Sequence, residues 1–96
     1  MIYVRGDPAE YDNWAASGCS GWSYAECLPY FKRMESSQQG DEAYRGRQGP
    51  ISVTHLAQTT RDQLSDAFME ACQQAGIPKT EDYNGAHYEG VNYLQL

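Results

Sequence analysis

The sequence has 96 residues, and its 13 acidic side chains outnumber its 7 basic ones, which gives a net charge of −6. Such a balance, with the basic residues scattered, lacks the clustered lysines and arginines that bind a phosphate backbone. No apolar run approaches the roughly 20 residues of a membrane-spanning helix. We therefore expect one small domain with no nucleic-acid partner and no transmembrane segment.

The cysteines indicate a reducing compartment. Cys19, Cys27 and Cys72 are odd in number and widely spaced, so a disulfide framework is not expected. No basic start followed by an apolar stretch marks a secretory signal. These features favour a cytoplasmic protein.

An apolar run and a helix are predicted at the start of the chain. Residues 1–4 (MIYV) are of the types that favour a strand. Residues 7–10 (DPAE) combine an N-cap residue, a proline at the first helical position and an acid at the third. A helix is therefore predicted to begin there, and the Ser-Gly pair at residues 17–18 is predicted to end it.

A second helix, a loop and a strand are predicted next. Residues 23–26 (SYAE) form a capping box, and the helix is predicted to run to residue 36 with a kink at Pro29. Residues 37–50 are polar and rich in glycine, which is typical of a surface loop. Residues 51–55 (ISVTH) alternate between apolar and polar types and predict a half-buried strand.

The strongest periodic pattern predicts a helix at residues 60–75. Thr60 and Gln63 offer a capping box. The apolar positions recur at helical spacing, with Phe68 in the middle of a face expected to be buried; they are Leu64, Ala67, Phe68, Ala71, Cys72 and Ala75. Residues 91–96 (VNYLQL) alternate again and predict a closing strand. The predicted fold class is a small α+β unit with about three helices and two or more short strands.

No complete active site is visible in the residues themselves. The acid pairs at residues 41–42 and 81–82 lie in polar loops, where adjacent carboxylates are usually solvated. His55 and His87 have no metal-ligand spacing with each other or with the cysteines. Judged on these residues alone, the chain is a small α+β unit without a complete active site. A small stand-alone enzyme is disfavoured because no nucleophile–base pair is visible, and an acidic module that binds a protein partner stays open.

Three collinear stretches resemble the glucose–methanol–choline (GMC) family of flavoprotein oxidoreductases. Residues 1–36 are similar to the family's Met-Ile/Val-Tyr-x-Arg-Gly, Asp-Tyr-Asp-x-Trp, Gly-Trp-Ser-Tyr and Leu-Pro-Tyr-Phe-Lys segments. Residues 44–54 resemble its Tyr-His/Arg-Gly-x-x-Gly-Pro-Leu-x-Val segment. Residues 64–95 resemble its helix and Asp-Phe/Tyr-Asn-Gly-x-x-x-Glu-Gly stretch. Within the family, the chain resembles the choline-dehydrogenase-like bacterial branch.

The resemblance implies an internal part of a longer FAD-dependent enzyme that transfers hydride from a small alcohol to the flavin. Residues 1–48 would form flavin-proximal lid and linker helices with a loop, and residues 49–96 the start of a substrate-binding domain. Together they would make one compact unit. Met1 and Ile2 match positions whose main chain borders the flavin in the family, so they are the implied cofactor-binding residues.

The resemblance also sets expectations for the isolated chain. It implies that the FAD phosphate-binding loop and the catalytic histidine lie outside these 96 residues, so no catalytic residue is assigned here and the chain alone should be inactive without bound FAD. The parent enzyme could be cytoplasmic or membrane-associated. Exposed strand edges at residues 1–4 and 91–96 should favour self-association. The rival hypothesis remains a non-catalytic acidic interaction module.

Overall fold

Two capped helices form the first third of the chain in the computed structural model, which describes residues 1–59 and 61–96. Helix α1 spans Pro8–Ala16, and the Asp7 side chain accepts a 2.9 Å hydrogen bond from the Ala9 N–H. This confirms the predicted N-cap. Ser17 is the C-cap, and Gly18 follows with a φ of 100°, a value that favours glycine.

Helix α2 spans Tyr24–Met34 and begins at the predicted capping box. The Ser23 side chain accepts from the Glu26 N–H, and the Ser23 N–H donates to Glu26 Oε2 at 3.1 Å. The helix ends at Met34, two residues before the predicted end. The prediction was wrong there because Glu35 takes an extended conformation, with a φ of −107° and a ψ of 157°, and begins a strand.

The sheet has two short parallel strands, of which the sequence predicted only the second. Strand β1 spans Glu35–Ser37, β2 spans Ile51–Val53, and Ser36 lies opposite Ser52. The connecting loop passes close to the end of α2. A Cβ atom on Gly46 would lie 1.7 Å from the Lys32 carbonyl oxygen, so only glycine fits at that crossing. The pairing of β1 with β2 bridges the predicted boundary between residues 48 and 49, which stays a prediction.

Helix α4, at Gln63–Gln74, follows a single helical turn, α3, at Leu56–Thr59. The N-cap of α4 is Asp62, whose side chain accepts a 2.9 Å hydrogen bond from the Ser65 N–H. The predicted cap, Thr60, lies outside the described residues. The helix is therefore present, with a later start than the predicted residue 60.

The predicted buried face of α4 points to solvent, which corrects the sequence analysis. Leu64 is 80% exposed and Phe68 is 64% exposed, whereas Met69 is only 8% exposed. The periodicity identified an apolar stripe correctly. It could not reveal that the described part of the chain places no element against that stripe, so Phe68 is not a core residue of this structure.

The two terminal segments are extended and paired, but neither forms a regular strand as predicted. Thr54 and Leu96 exchange main-chain hydrogen bonds of 2.7 and 2.8 Å, and the Leu56 N–H donates to the Leu94 carbonyl oxygen at 3.0 Å. On the other side, the Tyr3 N–H donates to the Gln95 carbonyl oxygen at 2.7 Å. The bonds that link Thr54 and Leu56 to Leu94 and Leu96 form one isolated antiparallel bridge, between His55 and Gln95, and the Tyr3 contact is a single hydrogen bond.

The interior is polar. Among the described residues, Val53 and Met69 are the buried apolar side chains, and the buried polar ones outnumber them; these are Arg5, Glu35, Ser37, Arg45, Thr80, Asn84 and Gln95. The helices and the parallel strand pair agree with the predicted α+β class. Within the described ranges, no helix is both long and apolar enough to cross a bilayer.

Candidate functional site

The segment at residues 1–4 carries both predicted cofactor-binding residues and lies open to solvent. Met1 is fully exposed, while Ile2 and Val4 are 54% and 50% exposed. Within residues 1–59 and 61–96, the main-chain groups of Met1, Ile2 and Val4 make no hydrogen bond. The segment therefore presents apolar side chains and unused main-chain donors and acceptors on one open edge.

Arg5 turns inward directly after this segment and anchors it. Its Nη1 donates to the Tyr44 carbonyl oxygen at 2.6 Å, and its Nη2 lies 2.8 Å from Glu35 Oε1. The guanidinium carbon lies 5.5 Å from the centre of the Phe31 ring. The Arg5 carbonyl oxygen accepts a short hydrogen bond from the Tyr11 hydroxyl. Through these contacts the open segment is fixed to α1, α2 and β1.

A buried ion cluster lies beneath Arg5. Arg45 donates from Nε to Glu35 Oε1 at 2.8 Å and from Nη1 to Asp82 Oδ1 at 2.7 Å, and the side chains of Arg45 and Glu35 are fully buried. Burial alone would raise the pKa of Glu35, but hydrogen bonds from Arg45 and from the Gly46 N–H, with the charges of Arg45 and Arg5, outweigh it and lower this pKa. In this cluster the positive charges of Arg5 and Arg45 are balanced by the negative charges of Glu35 and Asp82.

A turn at residues 82–85 also contributes to this cluster. The N–H groups of Asn84 and Gly85 donate to the side chain and the carbonyl oxygen of Asp82, at 3.0 and 2.9 Å. The Asn84 side chain is buried and contacts the main chain near Tyr3. Sequence reasoning did not identify this contact, because nothing in the sequence indicates that Asn84 has a partner so far along the chain.

The histidines and cysteines do not assemble into a catalytic or metal site. His55 Nε2 lies 3.1 Å from Ser37 Oγ, but Ser37 is buried and cannot meet a substrate. Burial, followed by the charge of Arg45, lowers the pKa of His55. No group of three potential metal ligands occurs among the residues that the structure describes. Cys19 is exposed and forms no disulfide.

An aromatic groove joins α1 to α2 on the surface. The rings of Tyr11 and Phe31 meet edge to face with centroids 5.5 Å apart, and the rings of Trp14 and Trp22 do so at 6.0 Å. Trp14 and Trp22 remain 46% and 54% exposed. The two tryptophans therefore pack against each other, but about half of each residue stays exposed.

Comparison with known proteins gives one consistent result. The sequence model of a family described as GMC oxidoreductase matches residues 1–96. The oxygen-dependent choline dehydrogenase of Photobacterium profundum is 50% identical over 96 residues, which are 100% of this chain and 17% of that protein. The chain therefore spans about a sixth of the length of this curated relative.

Solved structures agree with the sequence match. A crystal structure of pyridoxine 4-oxidase from Mesorbium loti superposes with a TM-score of 0.88 and 32% identity, covering 100% of this chain and 19% of that one. An FAD-dependent oxidoreductase from Chaetomium thermophilum superposes with a TM-score of 0.88 and 29% identity, covering 99% of this chain and 18% of that one. The fold of the 96 residues therefore recurs inside much longer proteins.

Proposed function

The chain belongs to the GMC oxidoreductase family, and we propose that it is the cofactor-side part of an FAD-dependent enzyme that oxidises the CH–OH group of a small alcohol. Support comes from the activities for which similar proteins are named, which are those of a choline dehydrogenase, a pyridoxine oxidase and an FAD-dependent oxidoreductase. Choline and pyridoxine are both small alcohols. Among such substrates, 50% identity to the choline dehydrogenase favours choline or a similar compound.

The open edge at residues 1–4 fits a flavin and is the observation that carries the proposal. A flavin ring is flat, with apolar faces and a polar rim, so it needs apolar side chains and free main-chain groups close together. Met1 and Ile2 offer both, since their side chains are exposed and their main chain forms no hydrogen bond with the described residues. We assign the main chain at Met1 and Ile2 to contact with the ring.

Within this function the chain contributes binding and orientation. FAD, when bound, accepts the hydride from the carbinol carbon, and the protein orients the reactants. The resemblance places the base that takes the hydroxyl proton outside residues 1–96. His55 is a poor candidate for that base, because its Nε2 already faces the buried Ser37 hydroxyl.

A second candidate function is an independent module that binds a protein partner. The half-exposed Trp14 and Trp22 favour it, together with the exposed Phe68 on α4, because exposed aromatic patches commonly mark protein contacts. The two candidates differ in one measurable respect. Only the first requires the chain to support flavin binding inside a longer GMC protein.

The test replaces the matching 96 residues of the Photobacterium profundum relative with this chain. We expect the chimera to purify yellow, with flavin bound at about one per chain, and to oxidise choline. We expect the isolated 96-residue chain to purify colourless. A chimera that shows native-like circular dichroism but binds no flavin would overturn the proposed function and favour the interaction module.

A further inference from the structure

The Asn84 carboxamide pairs with the main chain of the open segment in the way that a neighbouring strand would. Its Oδ1 accepts from the Arg5 N–H at 2.9 Å, and its Nδ2 donates to the Tyr3 carbonyl oxygen at 3.2 Å. Tyr3 and Arg5 are two residues apart, the spacing at which a pleated chain directs its polar groups to the same side. The Asn84 side chain thus makes two hydrogen bonds that a neighbouring strand would otherwise make with this segment.

The orientation of this carboxamide is set by its neighbours. Arg45 can only donate, so the atom of Gln95 that faces its Nη1 at 2.9 Å must be Oε1. Gln95 Nε2 then donates to Asp82 Oδ1 at 2.8 Å. Gln95 Oε1 also lies 2.9 Å from Asn84, which must therefore present Nδ2 there and Oδ1 to the Arg5 N–H.

The same pleat leaves the opposite edge of the segment free. Because the Tyr3 carbonyl oxygen and the Arg5 N–H both point toward Asn84, the main-chain groups of the alternating residues Ile2 and Val4 point away from it. This agrees with the absence of hydrogen bonds from Ile2 and Val4 to the residues that the structure describes. The hydrogen bonds to Asn84 on one edge of the segment therefore also determine the direction of the free main-chain groups on the other edge.

We propose that Asn84, oriented by Gln95 and Arg45, is a positioning residue that holds residues 1–4 so that their free edge meets the flavin. The inference rests on the proposed function for the identity of what lies at that edge. Asn84 is 3% exposed, so it does not reach the cofactor itself and acts through the main chain of Tyr3 and Arg5. It lies 79 residues from Arg5 in the sequence.

The first test measures amide hydrogen exchange in the 96-residue chain. Asn84→Ala removes both contacts, and Asn84→Asp keeps the size and turn preference but cannot donate to Tyr3. In Asn84→Ala we expect the Arg5 amide to exchange about tenfold faster because its acceptor is lost, and the Tyr3 amide likewise because its bond to the Gln95 carbonyl oxygen loosens with the released segment, while α2 amides change little. In Asn84→Asp the Arg5 N–H keeps a side-chain acceptor, so we expect its amide to stay protected. The control is Asn13→Ala on the exposed side of α1. Equal acceleration throughout the chain in Asn84→Ala, or none at Tyr3 and Arg5 in that variant, would overturn the inference.

The second test repeats Asn84→Ala in the Photobacterium profundum chimera and records the visible spectrum and reduction potential of the flavin. We expect both to shift relative to the chimera carrying Asn13→Ala. Unchanged flavin properties, despite faster exchange at Tyr3 and Arg5, would overturn the positioning role while leaving the proposed function intact. A chimera that binds no flavin before any substitution would overturn the proposed function instead.

Discussion

Arg45 is the residue on which the interior depends. A buried guanidinium is costly unless every donor is matched and its charge is compensated. Each guanidinium nitrogen of Arg45 donates at least one hydrogen bond, to Glu35, Asp82 or Gln95, and the two carboxylates compensate its charge. Removing it would deprive Glu35 and Asp82 of their shared arginine partner, and Glu35 would keep Arg5, whose Nη2 lies 2.8 Å from Glu35 Oε1.

We expect Arg45→Met to lower the free energy of unfolding by about 3 kcal/mol, the lower end of the range for breaking a buried ion pair, because Arg5 still compensates Glu35. The measurement is the urea unfolding midpoint with the slope of the transition. The control is Arg61→Met, because Arg61 pairs with Asp66 at 2.8 Å on an exposed surface; its midpoint should stay near that of the parent. Equal midpoints for both variants would contradict a central role for Arg45.

Glu35 should make the fold sensitive to acid. Its pKa is lowered from the usual 4.5 in the folded chain, so below about pH 4.5 the unfolded state binds the proton more readily than the folded state does. Its contribution to stability is therefore present above that pH and is lost as the pH falls through the folded pKa. We expect Glu35→Gln to be less stable at pH 7 but to lose less stability between pH 5 and pH 3.

Urea unfolding at several pH values measures this difference. Glu89→Gln is the control, because Glu89 is an exposed carboxylate whose side chain makes no hydrogen bond or ion pair with the residues that the structure describes. This variant should retain most of the acid sensitivity of the parent. If Glu35→Gln retained it equally, the source of the acid sensitivity would lie elsewhere.

At the scale of elements, α4 has one buried anchor, which the sequence did not identify. Met69 is 8% exposed and Phe68 is 64% exposed. We expect Met69→Ala to cost about 2 kcal/mol, the lower end for a buried methionine, and Phe68→Ala to cost less than about 1 kcal/mol. Gln74→Ala should stay within about 0.5 kcal/mol, as exposed substitutions usually do. Urea unfolding of the three variants would contradict this if Phe68→Ala proved the most damaging.

The elements that the sequence predicted well are those determined by near neighbours. The caps at Asp7 and Ser23 bond to residues two and three positions away, so local chemistry is enough to place them. Strand β1 was missed because its residues, Glu35–Ser37, are polar and lack alternation; it becomes a strand by pairing with β2. Exposure of Phe68 was missed because periodicity identifies an apolar face but not its partner.

In the candidate site, too, the sequence identified what short motifs determine and missed the contacts between residues that lie far apart in the chain. The three stretches at residues 1–36, 44–54 and 64–95 supported the resemblance, and the first of them gave Met1 and Ile2 as the implied cofactor-binding residues. No local rule predicts that Asn84 bonds to Arg5, since the two are joined only by the fold. Buried polar clusters are hard to predict for this reason, because each member resembles an ordinary surface residue until its partners are known.

For the whole molecule, the uncovered edge at residues 1–4 should promote self-association, as predicted from the sequence. The segment at residues 91–96 is paired on both sides, with Thr54 and with Tyr3, so the first segment is the more open edge. We expect sedimentation velocity to show a concentration-dependent dimer that weakens in Ile2→Pro, which removes a main-chain donor. Ile2→Thr keeps that donor and should still dimerise; equal behaviour of the two variants would exclude pairing through this edge.

The hydrogen bond between Tyr3 and Gln95 also has a topological consequence. It places the first and last residues of the 96-residue chain next to each other in space. A unit whose first and last residues lie close together can be inserted into a loop of another protein, the host. The host then has to bridge only a short gap, and the spacing of its own elements can remain as it was.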